Sequence, residues 1–131
     1  MIKKTLFPVM VLLLCMDLFA IPPVPPKVEV YYFHFTRRCT TCNNVEKVAR
    51  ESVETLYPEQ VKIGEITFQS INLDEKEGEA VGKKVKVNGQ SLVIVSGDQK
   101  IDLTDKAFLY ANGNPEKLKA EIRKVVEEVR K

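Results

Sequence analysis

The most regular pattern in the chain is a short apolar run followed by a helical stripe. Residues 28–35 carry apolar side chains at both alternating sets of positions, which predicts a central β-strand covered on both faces. Over residues 39–56 the apolar positions recur every three or four residues, which predicts an amphipathic helix. Pro58 ends this helix, because proline disfavours the helical conformation of the residue before it.

The rest of the chain continues the alternation of strands and helices. The further predicted elements are strands at 66–72, 91–95 and 99–103, a helix at 75–84, and a last helix that Asn114 caps and Pro115 begins. Gly78 and Gly82 give the helix at 75–84 a weak helical character, because glycine is a poor helix former. This order predicts an α/β fold with a mixed four-stranded sheet flanked by helices on both faces.

Residues 1–20 have a different pattern from the rest of the chain. Two lysines precede an apolar run over residues 6–16, which is typical of a secretory signal peptide and shorter than the roughly 20 residues of a transmembrane helix. We expect this segment to be cleaved and the protein to be exported to the periplasm; an uncleaved membrane anchor and a lipoprotein attached at Cys15 are the alternatives. Residues 21–27 hold four prolines and predict an extended tether, or a disordered N-terminus, before a domain spanning 28–131.

Composition and charge restrict the class of protein. The chain has 131 residues, a length that fits one domain of ordinary size. Apolar residues make up 44% and charged residues 29%, which is typical of a soluble globular protein and not of a disordered one. The net charge of +2 is too small to favour nucleic acid as a partner. Charge therefore indicates no class of partner.

The candidate chemistry lies in two cysteines at the start of the predicted helix, Cys39 and Cys42. In the first helical turn, unpaired backbone N–H groups and the positive end of the helix dipole favour a thiolate, so we expect Cys39 to be the attacking sulfur. Cys42, one turn later and shielded by the helix, is placed to resolve a mixed disulfide. A metal or iron–sulfur site completed by ligands from a second chain, and an inert structural disulfide, are the alternatives.

Charged and titratable neighbours surround the cysteine pair. Arg38 adjoins Cys39 and Arg37 lies one residue further back, so either cation would stabilise a thiolate, unless both are simply solvated. His34 precedes Cys39 by five residues and is a candidate proton shuttle, although a strand histidine with a satisfied hydrogen bond is the simpler interpretation.

The element order, with Cys39-Thr40-Thr41-Cys42 directly after the first strand, resembles the thioredoxin-like family over residues 28–131. More narrowly, the stretch from Tyr31 to Cys42 is similar to the small exported ArsF-type proteins, a group labelled as nitrophenyl compound nitroreductase subunits. The sequence shows no glycine-rich loop for a flavin or a nicotinamide, so we do not expect this chain alone to reduce a nitro group.

Three departures from the thioredoxin pattern alter the expected site. Ser91 stands where the family has a cis-proline, and we expect a trans bond there and a changed groove, because a non-proline cis bond costs about 3 kcal/mol. Phe33 stands where the family has a buried acid, which removes a proton acceptor for the resolving thiol. Thr40-Thr41 replaces the usual Gly-Pro between the cysteines.

The resemblance implies an exported thiol–disulfide oxidoreductase or electron relay. It would need no dissociable cofactor, because the disulfide itself stores the electrons. Its partner would be a protein thiol or disulfide, and a membrane electron donor is one such partner. We expect a monomer that contacts the membrane only transiently, through its signal segment. The alternative is a metal-handling or redox subunit of a larger assembly.

Overall fold

The computed structural model describes residues 21–131. The predicted signal segment, residues 1–20 with Cys15, lies outside the described residues. Residues 21–27 form neither helix nor strand, and their side chains are exposed. Within residues 21–131 the structure has no helix that is both long and apolar enough to cross a membrane.

Strands and helices alternate through the described chain. In chain order the elements are β1 (Val28–His34), α1 (Thr40–Leu56), α2 (Pro58–Lys62), β2 (Ile66–Asn72), α3 (Lys76–Val85), β3 (Ser91–Ser96), β4 (Gln99–Asp102), α4 (Thr104–Tyr110) and α5 (Pro115–Val129). The sequence pattern predicts neither α2 nor α4, because helices of five and seven residues are too short to show a full apolar stripe. β1 also ends one residue before the predicted boundary, and Phe35 is 41% exposed and does not extend the core.

The four strands form one mixed sheet in the order β2-β1-β3-β4. β1 runs parallel to β2 and antiparallel to β3, which pairs with β4 in an antiparallel hairpin. The crossover through α1 and α2 is long enough for a parallel pair, whereas the tight turn at Gly97-Asp98 permits only an antiparallel one. The predicted mixed four-stranded α/β sheet, with helices on both faces, is therefore confirmed.

One face of the sheet carries the larger core, which we call the major core. Alternate side chains of β1 point to this face and pack against the apolar stripes of α1 and α5 and against α4. Its fully buried members are Val28, Val30, Tyr32, Val45, Ala49, Val53, Ile66, Leu92, Ile94, Ala107, Leu118, Ile122 and Val126. α5 begins as predicted, since the Asn114 side chain caps it by accepting a hydrogen bond from the Lys117 backbone N–H.

The opposite face carries a smaller core under α3, which we call the minor core. Its buried members are Tyr31, Phe33 and Val93. The predicted helix is present as α3, and its two glycines, Gly78 and Gly82, are its buried residues and face the sheet. A Cβ on Gly78 would lie 1.8 Å from the Asn72 carbonyl oxygen, so only glycine allows this close approach.

Candidate redox site

The two predicted cysteines lie at the N-terminus of α1, where the chain leaves the carboxyl end of β1. Their sulfur atoms are bonded in a disulfide, with the Cα atoms 5.2 Å apart. Cys39 is the N-cap residue and is exposed, whereas Cys42 lies in the first turn and is only 5% exposed. A partner therefore reaches the Cys39 sulfur far more readily than the Cys42 sulfur.

The backbone at the start of α1 favours negative charge on Cys39. Its Sγ atom accepts a hydrogen bond from the Cys42 backbone N–H, with 3.2 Å between sulfur and nitrogen. Cys39 has an extended backbone conformation, and no acidic residue lies in the first turn of the helix to offset the positive end of its dipole. When the disulfide opens, the same N–H group and dipole stabilise a thiolate at this position.

The loop between β1 and α1 is held in place by the loop that follows β2. The Thr36 backbone N–H donates to Asp74 Oδ2 at 2.7 Å, and the Asn72 side-chain amide donates to Thr36 Oγ1 at 3.1 Å. The hydrogen bond from Thr36 lowers the pKa of Asp74 below its ordinary value. These hydrogen bonds join the segments that follow the two parallel strands, three residues before Cys39.

Arg38 does not extend into solvent but forms an ion pair with Glu46, two turns into α1. The other oxygen of that carboxylate accepts from Arg50 at 3.0 Å, and the Arg50 guanidinium lies over the Phe68 ring at 5.0 Å. Burial opposes ionisation of Glu46, but the nearby Ser70 hydroxyl and the two guanidinium groups together lower the pKa of Glu46. The Glu46–Arg50 pair follows from four-residue spacing, whereas the contact with Arg38 depends on the loop and has no signal in the sequence. Arg37 is exposed.

His34 is buried at the end of β1. Its Nδ1 atom donates to the Phe35 carbonyl oxygen at 2.9 Å, and its ring lies 5.8 Å from the Tyr32 ring. The Tyr32 hydroxyl accepts from the Gln90 side-chain amide at 2.9 Å, and burial raises the pKa of Tyr32 above its ordinary value. His34 thus has the satisfied hydrogen bond of a structural histidine, and its role as a proton shuttle stays a prediction.

The two residues between the cysteines have different surroundings. Thr40 is exposed, whereas Thr41 Oγ1 accepts a hydrogen bond from the Asn112 side-chain amide at 2.8 Å. The Asn112 side-chain oxygen in turn accepts from the Asn44 amide at 2.7 Å. Asn112 lies between α4 and α5, so sequence reasoning missed it; its approach to the cysteine turn depends on how those helices pack.

Two comparisons of sequence find no relative, and the comparison of structures finds several. No family model and no curated protein sequence matches the chain. Thioredoxin O2 from Arabidopsis thaliana, in its oxidized state, superposes with a TM-score of 0.52 at 20% sequence identity, over 81% of this chain and 77% of that one. The chain has a thioredoxin-like fold. The germline-specific thioredoxin Deadhead from Drosophila melanogaster is also similar, with a TM-score of 0.47 at 17% identity over 76% of this chain and 81% of its own.

Within this thioredoxin-like fold, Ser91 occupies the first position of β3. It pairs with Phe33 of β1, is buried, and donates its hydroxyl to the Gly89 carbonyl oxygen at 2.9 Å. The Gln90–Ser91 peptide bond is trans, as expected, since the described residues contain no cis bond. Phe33 is fully buried in the minor core.

The metal alternative takes its further ligands from a second chain, so a single chain does not test it. Residues 21–131 bring together no group of three or more histidine, cysteine, aspartate or glutamate side chains that could hold a metal ion. What the site presents there is one disulfide with an exposed sulfur and a shielded one.

Proposed function

We propose that the protein is a thiol–disulfide oxidoreductase that exchanges its Cys39–Cys42 disulfide with thiols of partner proteins. One observation carries the proposal: the disulfide lies at the N-terminus of α1 with Cys39 exposed at the N-cap and Cys42 shielded behind it. A structural disulfide needs no such asymmetry. Disulfide exchange needs it, because the first step is attack by or on an accessible sulfur and the second is resolution by its neighbour.

In the oxidised protein, a partner thiolate attacks the Cys39 sulfur. The Cys39–Cys42 bond breaks, a mixed disulfide forms at Cys39, and Cys42 leaves as a thiolate that takes up a proton. The second thiol of the partner then attacks the partner sulfur of the mixed disulfide. The partner disulfide forms, and Cys39 is released as a thiolate. Two electrons pass from the partner dithiol to the protein. In the opposite direction, the Cys39 thiolate attacks a partner disulfide and Cys42 resolves the mixed intermediate.

The remaining groups assist through position. The N–H group of Cys42 and the α1 dipole stabilise the Cys39 thiolate, and Asn112 fixes the turn between the cysteines through Thr41. Thr40 is exposed next to Cys39, whereas His34 and Ser91 are buried at the end of β1 and the start of β3. A supporting role for these three residues is part of the proposal. No dissociable cofactor is required, because the disulfide holds the electron pair.

The setting of this reaction is a finer proposal. The signal-peptide pattern of residues 1–20 and the tether at 21–27 support an exported protein in the periplasm, either released or held at the membrane. The similarity of the stretch around Cys39 to ArsF-type proteins supports a restricted set of partners, such as a membrane electron donor. The replacement of three thioredoxin features, at Ser91, Phe33 and Thr40-Thr41, supports the same restriction.

The test is reduction of insulin by dithiothreitol with the full chain as catalyst. Every protein carries Cys15→Ser, because that thiol would otherwise add a third reactive sulfur. We expect insulin to precipitate faster with the protein than without it, and the Cys39→Ser variant to abolish the gain. Cys42→Ser should trap a mixed disulfide at Cys39, visible as an added mass that dithiothreitol removes.

Two outcomes separate the proposal from its rivals. A disulfide that opens and closes reversibly without accelerating insulin reduction would indicate an electron relay with a dedicated partner. If Cys42→Ser traps no partner and Cys39→Ser leaves the rate unchanged, the oxidoreductase proposal is wrong.

A further inference from the structure

The helix that carries the cysteines also carries a charged stripe. Cys42, Glu46 and Arg50 follow one another at four-residue spacing, so their side chains lie on one side of α1. Helical side chains lean toward the N-terminus of their helix, so the Glu46 carboxylate lies over the turn that carries Cys42. The Glu46 ion pairs therefore lie on the side of α1 that carries Cys42.

Arg38 reaches this stripe from the loop before the helix. It directly precedes Cys39 and pairs with a carboxylate two turns further on, so its side chain spans the first turns of α1. The Arg38 and Glu46 side chains are only 25% and 17% exposed. The pair is consequently screened less by water and salt than an ion pair on the open surface.

The groups that face Glu46 come from four elements of the structure. Arg38 approaches from the loop and Arg50 from α1 itself, Tyr32 faces it from β1, and Ser70 faces it from β2. Tyr32 and Ser70 are uncharged, so the balance is two guanidinium groups against one carboxylate. Glu46 forms ion pairs with both guanidinium groups, and it is the one negatively charged group among these residues.

We propose that Glu46 is a positioning residue that sets how strongly Arg38 stabilises the Cys39 thiolate. The inference rests on the proposed function and concerns the regulation of the same site. While Glu46 holds Arg38, the guanidinium is a weak partner for a thiolate on Cys39. Removal of the carboxylate charge frees Arg38 to approach that thiolate, and the reduced form becomes more stable.

The step that Glu46 controls is the opening of the disulfide. With glutathione as reductant, two glutathione thiols supply two electrons and leave as glutathione disulfide. The Cys39–Cys42 bond breaks, one proton goes to Cys42, and the other is released when Cys39 remains a thiolate. Any change that favours the thiolate therefore shifts this equilibrium toward the reduced protein.

The test uses the reduced full chain carrying Cys15→Ser, in which the rate of Cys39 alkylation is measured over a range of pH. Variants are compared below the apparent pKa of that profile, where the thiolate fraction limits the rate. We expect Glu46→Gln to raise this rate about twofold, because the thiolate fraction rises more than its nucleophilicity falls. Above that apparent pKa, where the reduced protein holds Cys39 as a thiolate, the glutathione equilibrium should shift about twofold toward the reduced protein. This shift is equivalent to about 9 mV, since a tenfold change is about 30 mV for a two-electron couple. Glu54→Gln removes the same charge from an exposed position at the other end of α1 and should change neither value.

A double-mutant cycle separates action through Arg38 from direct repulsion by Glu46. In an Arg38→Ala background we expect Glu46→Gln to lose at least half of its effect, and in an Arg38→Lys background to keep most of it. An equal effect of Glu46→Gln with and without Arg38, or no effect at all, would overturn the inference. If the disulfide of the Cys15→Ser protein itself does not open reversibly, it is the proposed function that fails.

Discussion

The two faces of the sheet are covered by helices that contact it in different ways. On the major-core face, α1, α4 and α5 bury branched apolar side chains between helix and strand. On the minor-core face, α3 packs Val81 and Val85 against the buried side chains, and at Gly78 its backbone also approaches the end of β2 closely. The disulfide lies at the N-terminus of α1, where the chain passes from the end of β1 onto the major-core face.

The difference shows which kind of contact a sequence can reveal. Apolar stripes at helical spacing, as in α1 and α5, are visible in the sequence because each buried residue is itself apolar. A glycine contact is hidden, because glycine carries no side chain and its ordinary effect is to weaken a helix. Residues 75–84 were accordingly expected to form only a weak helix, although α3 is ten residues long.

The largest effect should come from the major core. Leu118 is fully buried in α5, and Leu118→Ala should lower the free energy of unfolding by about 2 to 5 kcal/mol, through lost burial and the cavity that remains. Urea unfolding followed by circular dichroism measures the change. A loss below about 1 kcal/mol would mean that α5 is not packed on the sheet as described.

On the minor-core face, a substitution that adds atoms should lower the free energy of unfolding, whereas in the major core a substitution that removes atoms should do so. Gly78→Ala places a methyl group 1.8 Å from the Asn72 carbonyl oxygen and should cost about 1 to 3 kcal/mol, although alanine is the better helix former. Gly113→Ala is the matched control, since a Cβ there meets nothing within 4 Å. If the two variants unfold at the same urea concentration, α3 does not approach β2 as closely as described.

A smaller effect is expected at the start of α5. The Asn114 side chain accepts a hydrogen bond from the Lys117 backbone N–H at 3.2 Å, and Asn114→Ala should lower the free energy of unfolding by about 1 kcal/mol. Asn114→Asp keeps the acceptor and should lose little or nothing. If both substitutions lower the free energy of unfolding equally in the same urea experiment, the Asn114 side chain does not cap α5.

The smallest effect is expected at Asp74, which follows β2 and accepts a hydrogen bond from Thr36 in the loop before Cys39. The pKa of Asp74 is lowered in the folded protein by the hydrogen bond from Thr36, so its contribution to stability is present above the ordinary aspartate pKa and is lost as pH falls through the folded pKa. Thermal unfolding should therefore become more alike in the wild type and Asp74→Asn as the pH falls from about 5 to about 2.5. Asp98→Asn, in the exposed β3–β4 turn, is the control, and a constant difference between wild type and Asp74→Asn would contradict the predicted linkage.

Much of the fold and part of the site could be predicted from the chain alone. The sequence pattern predicts Cys39 in the first turn of α1, and the structure places it one position earlier, at the N-cap. The contacts of Arg38 with Glu46 and of Thr41 with Asn112 could not be predicted, because they depend on how loops pack against α1. The short helices α2 and α4 are not predicted, because five and seven residues are too few to show an apolar stripe at helical spacing.

The most direct test of the redox assignment is a titration of the full chain, carrying Cys15→Ser, in buffers of graded glutathione ratio. Free thiols are alkylated and counted by mass. The account predicts one reversible two-electron transition between about −270 and −120 mV, with Cys39 alkylated before Cys42 when reagent is limiting. A folded protein whose Cys39–Cys42 disulfide stays closed at every glutathione ratio would contradict the account.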